Sequence, residues 1–184
     1  MKALFYGAVF IVLCTVFYLV WWIAAFSPGE EGWLQRTNVN LWLIPSTIFG
    51  ILGIIVSIVG LQSKKVNPEI ISTLLICIVG IVLYFGLLAF TWFVMKRSIT
   101  TELFLHTGWL TLTFCMVNAA YGYDLILHKT AIILFVVAAI AFVIGLICYI
   151  LYYAVSPSLS FILGMIPLII IMGYDCAFAV LVRL

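Results

Sequence analysis

Apolar residues run along this chain in long unbroken stretches, and the charged residues mark where the stretches break. The pattern predicts six apolar spans, at residues 3–26, 41–61, 70–95, 99–123, 130–153 and 159–182. Twelve of the fourteen charged residues lie outside them, as a boundary between hydrocarbon and water demands. Each span reaches the roughly 20 residues that a helix needs to cross about 30 Å of hydrocarbon. The runs are continuously apolar rather than alternating over segments of about ten residues, which argues against strands. A helix also satisfies its own backbone where no water can. The expected fold is therefore all-α: a bundle of six transmembrane helices forming a single domain over residues 1–184.

Composition sharpens this. Of 184 residues, 67% are hydrophobic and 8% charged, against roughly 25% charged in a soluble domain. So little charge cannot cover a water-facing surface, so a soluble globular protein, a disordered chain and a secreted disulfide scaffold are excluded. The five cysteines, Cys14, Cys77, Cys115, Cys148 and Cys176, all fall inside spans with no redox or zinc spacing, and read as small hydrophobes. Lys2 ahead of an apolar run resembles the start of a signal peptide, but the run is longer than a signal core of roughly 7–15 residues. It reads as a retained first helix.

The polar breaks carry helix punctuation. Asn40 is placed to cap the second helix, Asn67-Pro68-Glu69 to open the third and Ser156-Pro157-Ser158 the sixth. Pro45 and Pro167 are expected to bend the second and sixth helices and free carbonyls. The connection from Ser27 to Asn40 reads as an interfacial turn anchored by Trp33, or as a lid. With the N-terminus inside, Lys2, Lys64, Lys65, Lys129 and Arg183 lie on the cytoplasmic side, and Arg36, Lys96 and Arg97 outside. Positive-inside counting then favours an integral protein of the plasma or inner membrane with both termini cytoplasmic.

Small residues mark faces built for close approach. Gly50, Gly53, Ser57 and Gly60 fall within about 80° on a wheel of the second helix, and Ala131, Ala138, Ala141 and Gly145 form a similar stripe on the fifth. These faces suit packing within the chain, a homo-oligomer or a membrane partner equally.

Polar residues inside the bilayer concentrate in the fourth span. Glu102, His106, Thr113 and Asp124 share an arc of about 40°, while Thr100, Thr107, Thr111 and Asn118 share another about 140° away. A helix polar on two sides belongs in the centre of the bundle. In the sixth span Asp175 lies roughly 10 Å deep, at a height that suggests Asn118 or Tyr121 as its partner. Glu102, His106, Thr113, Asn118 and Asp175 thus form a candidate proton or solute path: Glu102 and His106 one turn apart, Asp175 as the inner acceptor, Thr113 and Asn118 as relays. Each has a plainer role open to it. Glu102 suits the start of a helix dipole, His106 an interior hydrogen bond, Asp124 a solvated helix end, and Asp175 a fixed tie between helices.

No zinc pair, nucleophile elbow or phosphate loop is present, no span contains a lysine for a Schiff base, and the scattered basic residues leave no nucleic-acid footprint. No catalytic residue, cofactor or metal is expected, and Glu102–His106 alone is too thin a constellation for an intramembrane enzyme. Two functional readings follow. One is a channel or transporter for a small molecule or ion, proton-linked. The other is a non-catalytic membrane subunit, immunity or stress-response protein acting through helix contacts.

Overall fold

The computed structural model describes residues 2–27, 38–96 and 101–183, without the side chains of residues 101–104. Among them there is no strand. The helices are α1 (Lys2–Phe26), α2 (Leu43–Leu61), α3 (Thr73–Ala89), α4 (Thr101–Gly122), α5 (His128–Tyr152) and α6 (Pro157–Arg183). A 3-10 turn at Val39–Trp42 leads into α2, and a π-helical turn at Phe90–Val94 prolongs α3.

Five of these elements are long and apolar enough to cross a membrane: α1, α2 with its leading turn, α3 with its π turn, α5 and α6. This corrects the expected six. α4 has the length of a crossing at 22 residues and carries several threonines, His106 and Asn118, but it is not among the five found over the described residues. α4 packs against α2, α3, α5 and α6, and eleven of its eighteen residues from 105 to 122 are buried. The other helices bury a smaller share and turn rows of Ile, Val, Leu and Phe outward. Polarity in α4 is thus spent inside the bundle, and apolarity elsewhere is spent on its outside.

α1 packs along α2 and α6, and α5 lies against α4 and α6. The small-residue stripe of α2 is the face that meets α1. Gly50 lies against Cys14, Gly53 against Ile11, and Gly60 against Leu4. Opposite them on α1, Gly7 faces Ser57. Ser46 Oγ donates across the same seam to the Cys14 carbonyl at 3.0 Å. The stripe of α5 is buried as well. α3 leans on α4 at Gly80, where an added Cβ would overlap Thr111, and turns nearly all its remaining surface outward.

Several local expectations need correcting. α2 starts at Leu43 after the 3-10 turn, and neither Asn40 nor any other side chain caps it. Pro45 sits in the first turn of α2, where its missing N–H has no helical acceptor to serve, so only Pro167 lies within a helix interior. α3 begins at Thr73, and residues 67–72 form an irregular strap across the end of α4. Glu69 still serves the start of α3: its carboxylate accepts from Thr73 N at 2.8 Å and Thr73 Oγ1 at 2.9 Å, and pairs with Lys65.

The end of α4 receives this strap. Val66 N and Asn67 N both donate to the Gly122 carbonyl, at 2.7 and 2.9 Å. Asp124 follows in the left-handed region at φ 59°. Leu125 N reaches Ala120 O, and Asp124 N reaches Tyr121 O, both at 2.9 Å. This is a Schellman closure with Asp124 at the left-handed position. Asp124 is exposed and also accepts from Asn67 Nδ2 at 3.2 Å.

Candidate functional site

The helix ends opposite that strap line a partly open cavity of about 280 Å³. Four helices build it: α1 through Trp22 and Phe26, α4 through His106 and Trp109, α5 from Gly145 to Tyr152, and α6 around Gly164 and Pro167. Glycines make the room. An added Cβ at Gly145 would run into the His106 ring, and one at Gly164 into the Trp22 indole. Aromatic rings then form much of the wall, and among the described residues that line it none is Asp, Glu, Lys or Arg.

A second, much smaller cavity lies deeper and shares His106, Trp109 and Ile171 with the first. Thr113 and Tyr174 border it. Asp175 follows Tyr174 on α6, is 0% exposed and lines neither cavity. Thr113 is the side chain that reaches its carboxyl, without good hydrogen-bond geometry, and neither carboxyl oxygen has another partner among the described residues. The Tyr174 hydroxyl is turned away, donating to the Leu134 carbonyl at 3.2 Å.

His106 is the polar group at the junction of the two cavities, and it is 8% exposed. Its ring stacks on Phe142 with centroids 5.0 Å apart, and Nε2 lies 3.1 Å from the Phe142 carbonyl. A carbonyl only accepts, so Nε2 carries the proton, and in the neutral ring Nδ1 is left as an acceptor. Nδ1 is buried and has no partner among the described residues. The Tyr149 hydroxyl, one turn of α5 beyond Gly145, is likewise buried without a partner among the described residues. Pro167 has no N–H to offer the Leu163 carbonyl, and both residues line the cavity.

The structure therefore brings His106, Thr113 and Asp175 to one side of α4. Asn118 is not with them, which overturns its expected pairing with Asp175. Its side chain accepts from Ile70 N at 3.1 Å and Ile71 N at 3.3 Å. It donates to Ile71 O at 2.7 Å and Thr73 Oγ1 at 3.3 Å. All four bonds hold the strap and the start of α3. Tyr121 offers its carbonyl to Asn67 and stacks edge-on with His128, also away from Asp175. The Glu102 side chain lies outside the described residues, as do Arg36 and Arg97. The residues missed by sequence reasoning are Trp22, Gly145, Tyr149 and Gly164, and the nearest local signal was the glycine one turn ahead of Pro167.

Among the described residues no three His, Cys, Asp or Glu side chains come together to hold a metal ion. Cys77 and Cys115 have their sulfurs 4.0 Å apart across the α3–α4 seam, both as free thiols. Fold and site together define an all-helical bundle, with helices apolar enough for a membrane and a partly open, aromatic-walled cavity at one end. Compared with family models, curated proteins and solved structures, the chain matches none.

Proposed function

We propose that this chain is a six-span integral membrane protein, α4 being the central sixth crossing, and that it carries a small uncharged solute through its bundle in linkage with protons. The supporting observation is the cavity that four helices line, continued by the smaller one toward Thr113, Tyr174 and the buried carboxyl of Asp175. An intramembrane acid without an ion-pair partner is costly, and such groups mark substrate or proton routes by default. His106 is assigned to solute contact and Asp175 to proton linkage, with Thr113 between them. Asn118 belongs to the framework. A lipid bilayer is the surrounding partner, and no chemistry on the solute is assigned.

The test is flux into proteoliposomes that carry a pH dye, with a panel of small uncharged solutes. His106→Ala is expected to slow solute flux about tenfold, the worth of one good hydrogen bond. Asp175→Asn is expected to leave solute movement without an accompanying proton. If both variants keep full flux and its pH response while their thermal midpoints fall, the groups are static ties and the transport reading is wrong.

A second reading has its own observation. Asn118 is committed to closed bonds with the strap and Ser46 to one across the α1–α2 seam, Ser57 Oγ donates to Met116 Sδ at 3.3 Å, and Asp175 opens to neither cavity. That pattern suits a non-catalytic protein acting through helix contacts, and the stability outcome above is its signature.

The orientation proposed for the plasma or inner membrane has both termini cytoplasmic. Arg183 lies 5.9 Å over the Phe5 ring, and the Lys65 stem lies against Gly122, so the start of α1, the end of α6 and the α2–α3 strap share one end of the bundle. That end holds Lys2, Lys64, Lys65 and Arg183, and positive-inside counting sets it in the cytoplasm. An impermeant thiol reagent applied to intact cells is expected to label Glu30→Cys and spare Lys64→Cys. The reverse pattern inverts the topology.

A further inference from the structure

We infer that Cys77 and Cys115 form a reversible redox latch: hydrogen peroxide oxidises the two thiols to a disulfide that fastens α3 to α4. This concerns the α3–α4 seam alone and does not rest on the solute reading of the cavity.

Three contacts down the seam carry it. Asn118 Nδ2 donates to Thr73 Oγ1 at 3.3 Å, the Cys77 and Cys115 sulfurs stand 4.0 Å apart, and a Cβ built on Gly80 would lie 3.0 Å from Thr111 Cβ. Positions rise along α3 as they fall along α4, so the helices run antiparallel with the thiols on the middle rung. A disulfide joins Cβ atoms roughly 3.5–4.5 Å apart. One turn beyond the thiols the two backbones come at least that close, and one turn before them the Asn118 bond holds the strap. The sulfurs already touch, and rotation about their Cα–Cβ bonds is the movement that closes them to about 2.05 Å. The two residues are 38 apart in the chain, so no redox spacing marks them in the sequence.

Access is unequal, and that sets the order of events. Cys115 is 2% exposed, whereas Cys77 is half-buried, about 6 Å past the start of α3 at Thr73. Hydrocarbon keeps a bulky, charged disulfide reagent away from such a position, but peroxide is small and neutral. The Cys77 sulfur attacks one peroxide oxygen: an S–O bond forms, the O–O bond breaks, and the thiol proton leaves with the departing hydroxide as water. The Cys115 sulfur then attacks the Cys77 sulfenic acid, the S–S bond forms, the S–O bond breaks, and a second water carries off the Cys115 proton. Two thiols thus lose two electrons and one peroxide becomes two waters. The consequence is mechanical. α4 is the helix that α3 packs against, and α3 turns nearly all its remaining surface outward. Closing the bond ties this outermost helix to the central one, and a thiol reductant frees it.

The experiment treats the full chain in lipid nanodiscs with millimolar hydrogen peroxide, blocks the remaining thiols with N-ethylmaleimide and maps tryptic peptides by mass. Residues 66–96 and 98–129 each hold one of the two cysteines. The expected product is these two peptides joined, lighter by two hydrogens, and separated again by dithiothreitol. The oxidised protein should melt about 5 °C or more above the reduced one, because the bond closes a long loop. In Cys115→Ser, Cys77 should stop at the sulfenic acid and take up dimedone, which the wild type does not. In Cys77→Ser, Cys115 should stay a thiol. Both variants should keep the wild-type midpoint in reductant, which shows that they fold. Cys77 oxidised without a joined peptide, or no reaction at either thiol, overturns the latch. Joined peptides with an unchanged midpoint show that the bond restrains nothing, and overturn it as well. Oxidation of Cys115 in Cys77→Ser overturns the assigned order of attack.

Discussion

Asn118→Leu is expected to lower the thermal midpoint of the purified protein by roughly 5–10 °C, the largest loss from any single polar side chain in the bundle. Asn118 is fully buried, yet each end of its amide works on backbone that is not its own. The oxygen takes the N–H groups of Ile70 and Ile71, and the nitrogen gives to Ile71 O and Thr73 Oγ1. Those backbone groups belong to residues 67–72, where no helix supplies partners. Leucine keeps the branched shape with somewhat more bulk, and it leaves two donors and an acceptor unpaired, at about 1–3 kcal/mol for each group that water cannot reach. Total loss of about 2–4 kcal/mol follows, since the strap is part-buried and recovers some hydration. A second readout separates this from a general packing defect: trypsin should cut after Lys64 and Lys65 faster in the variant, because the strap that follows them is released. An unchanged midpoint with unchanged cleavage would mean that the strap is held by the Gly122 carbonyl and Glu69 alone.

Gly7→Ala is expected to cost about 1–3 kcal/mol, the usual penalty for overfilling a packed contact, and Ser57→Gly is expected to restore part of it. A Cβ on residue 7 would overlap Ser57 Oγ and come within 3.2 Å of both Ser57 Cα and N. The hydroxyl can be removed by mutation, but the backbone atoms behind it cannot give way without parting α1 from α2. Gly53 and Gly60 press on the backbone nitrogens of Ile11 and Leu4 at 3.3 and 3.2 Å if given a Cβ, so the seam is tight along its length. Thermal unfolding of the four members of the cycle reads the coupling directly. The two changes should be less than additive; strict additivity would show that Gly7 and Ser57 do not touch.

Both sites bear on how far the primary structure alone carries. The α1–α2 seam was legible because helical periodicity is local: small residues at positions 50, 53, 57 and 60 fall on one face whatever that face meets. The inward position of α4 was legible for a related reason. A helix with threonines and an asparagine on one arc and a histidine on another has no side that suits lipid. What periodicity leaves open is the neighbour. Asn118 and Asp175 were matched by depth, and depth is a single coordinate; their azimuths differ, and Asn118 turns to the strap below α3 while Thr113 turns to Asp175. Pro45 was read as a bend because the start of α2 was placed at residue 41; with the helix starting at Leu43 it falls in the first turn, where proline is harmless.

The chain by itself determined the helical class, five of the six expected apolar spans, the faces of closest approach and the isolation of one polar helix, because each follows from spacing within a single helix and from the cost of polar groups in hydrocarbon. The tertiary structure alone decided the cavity. Trp22, His106, Tyr149 and Gly164 come from four different helices, and nothing in the local sequence of any one of them marks a shared wall. Tryptophan and tyrosine near span ends suit an interfacial belt as well as a binding site, and a glycine suits close packing as well as an opening. Which of these holds depends on whether a neighbouring side chain fills the space that the glycine leaves. That is a property of several helices packed together, and it exists only once they have met.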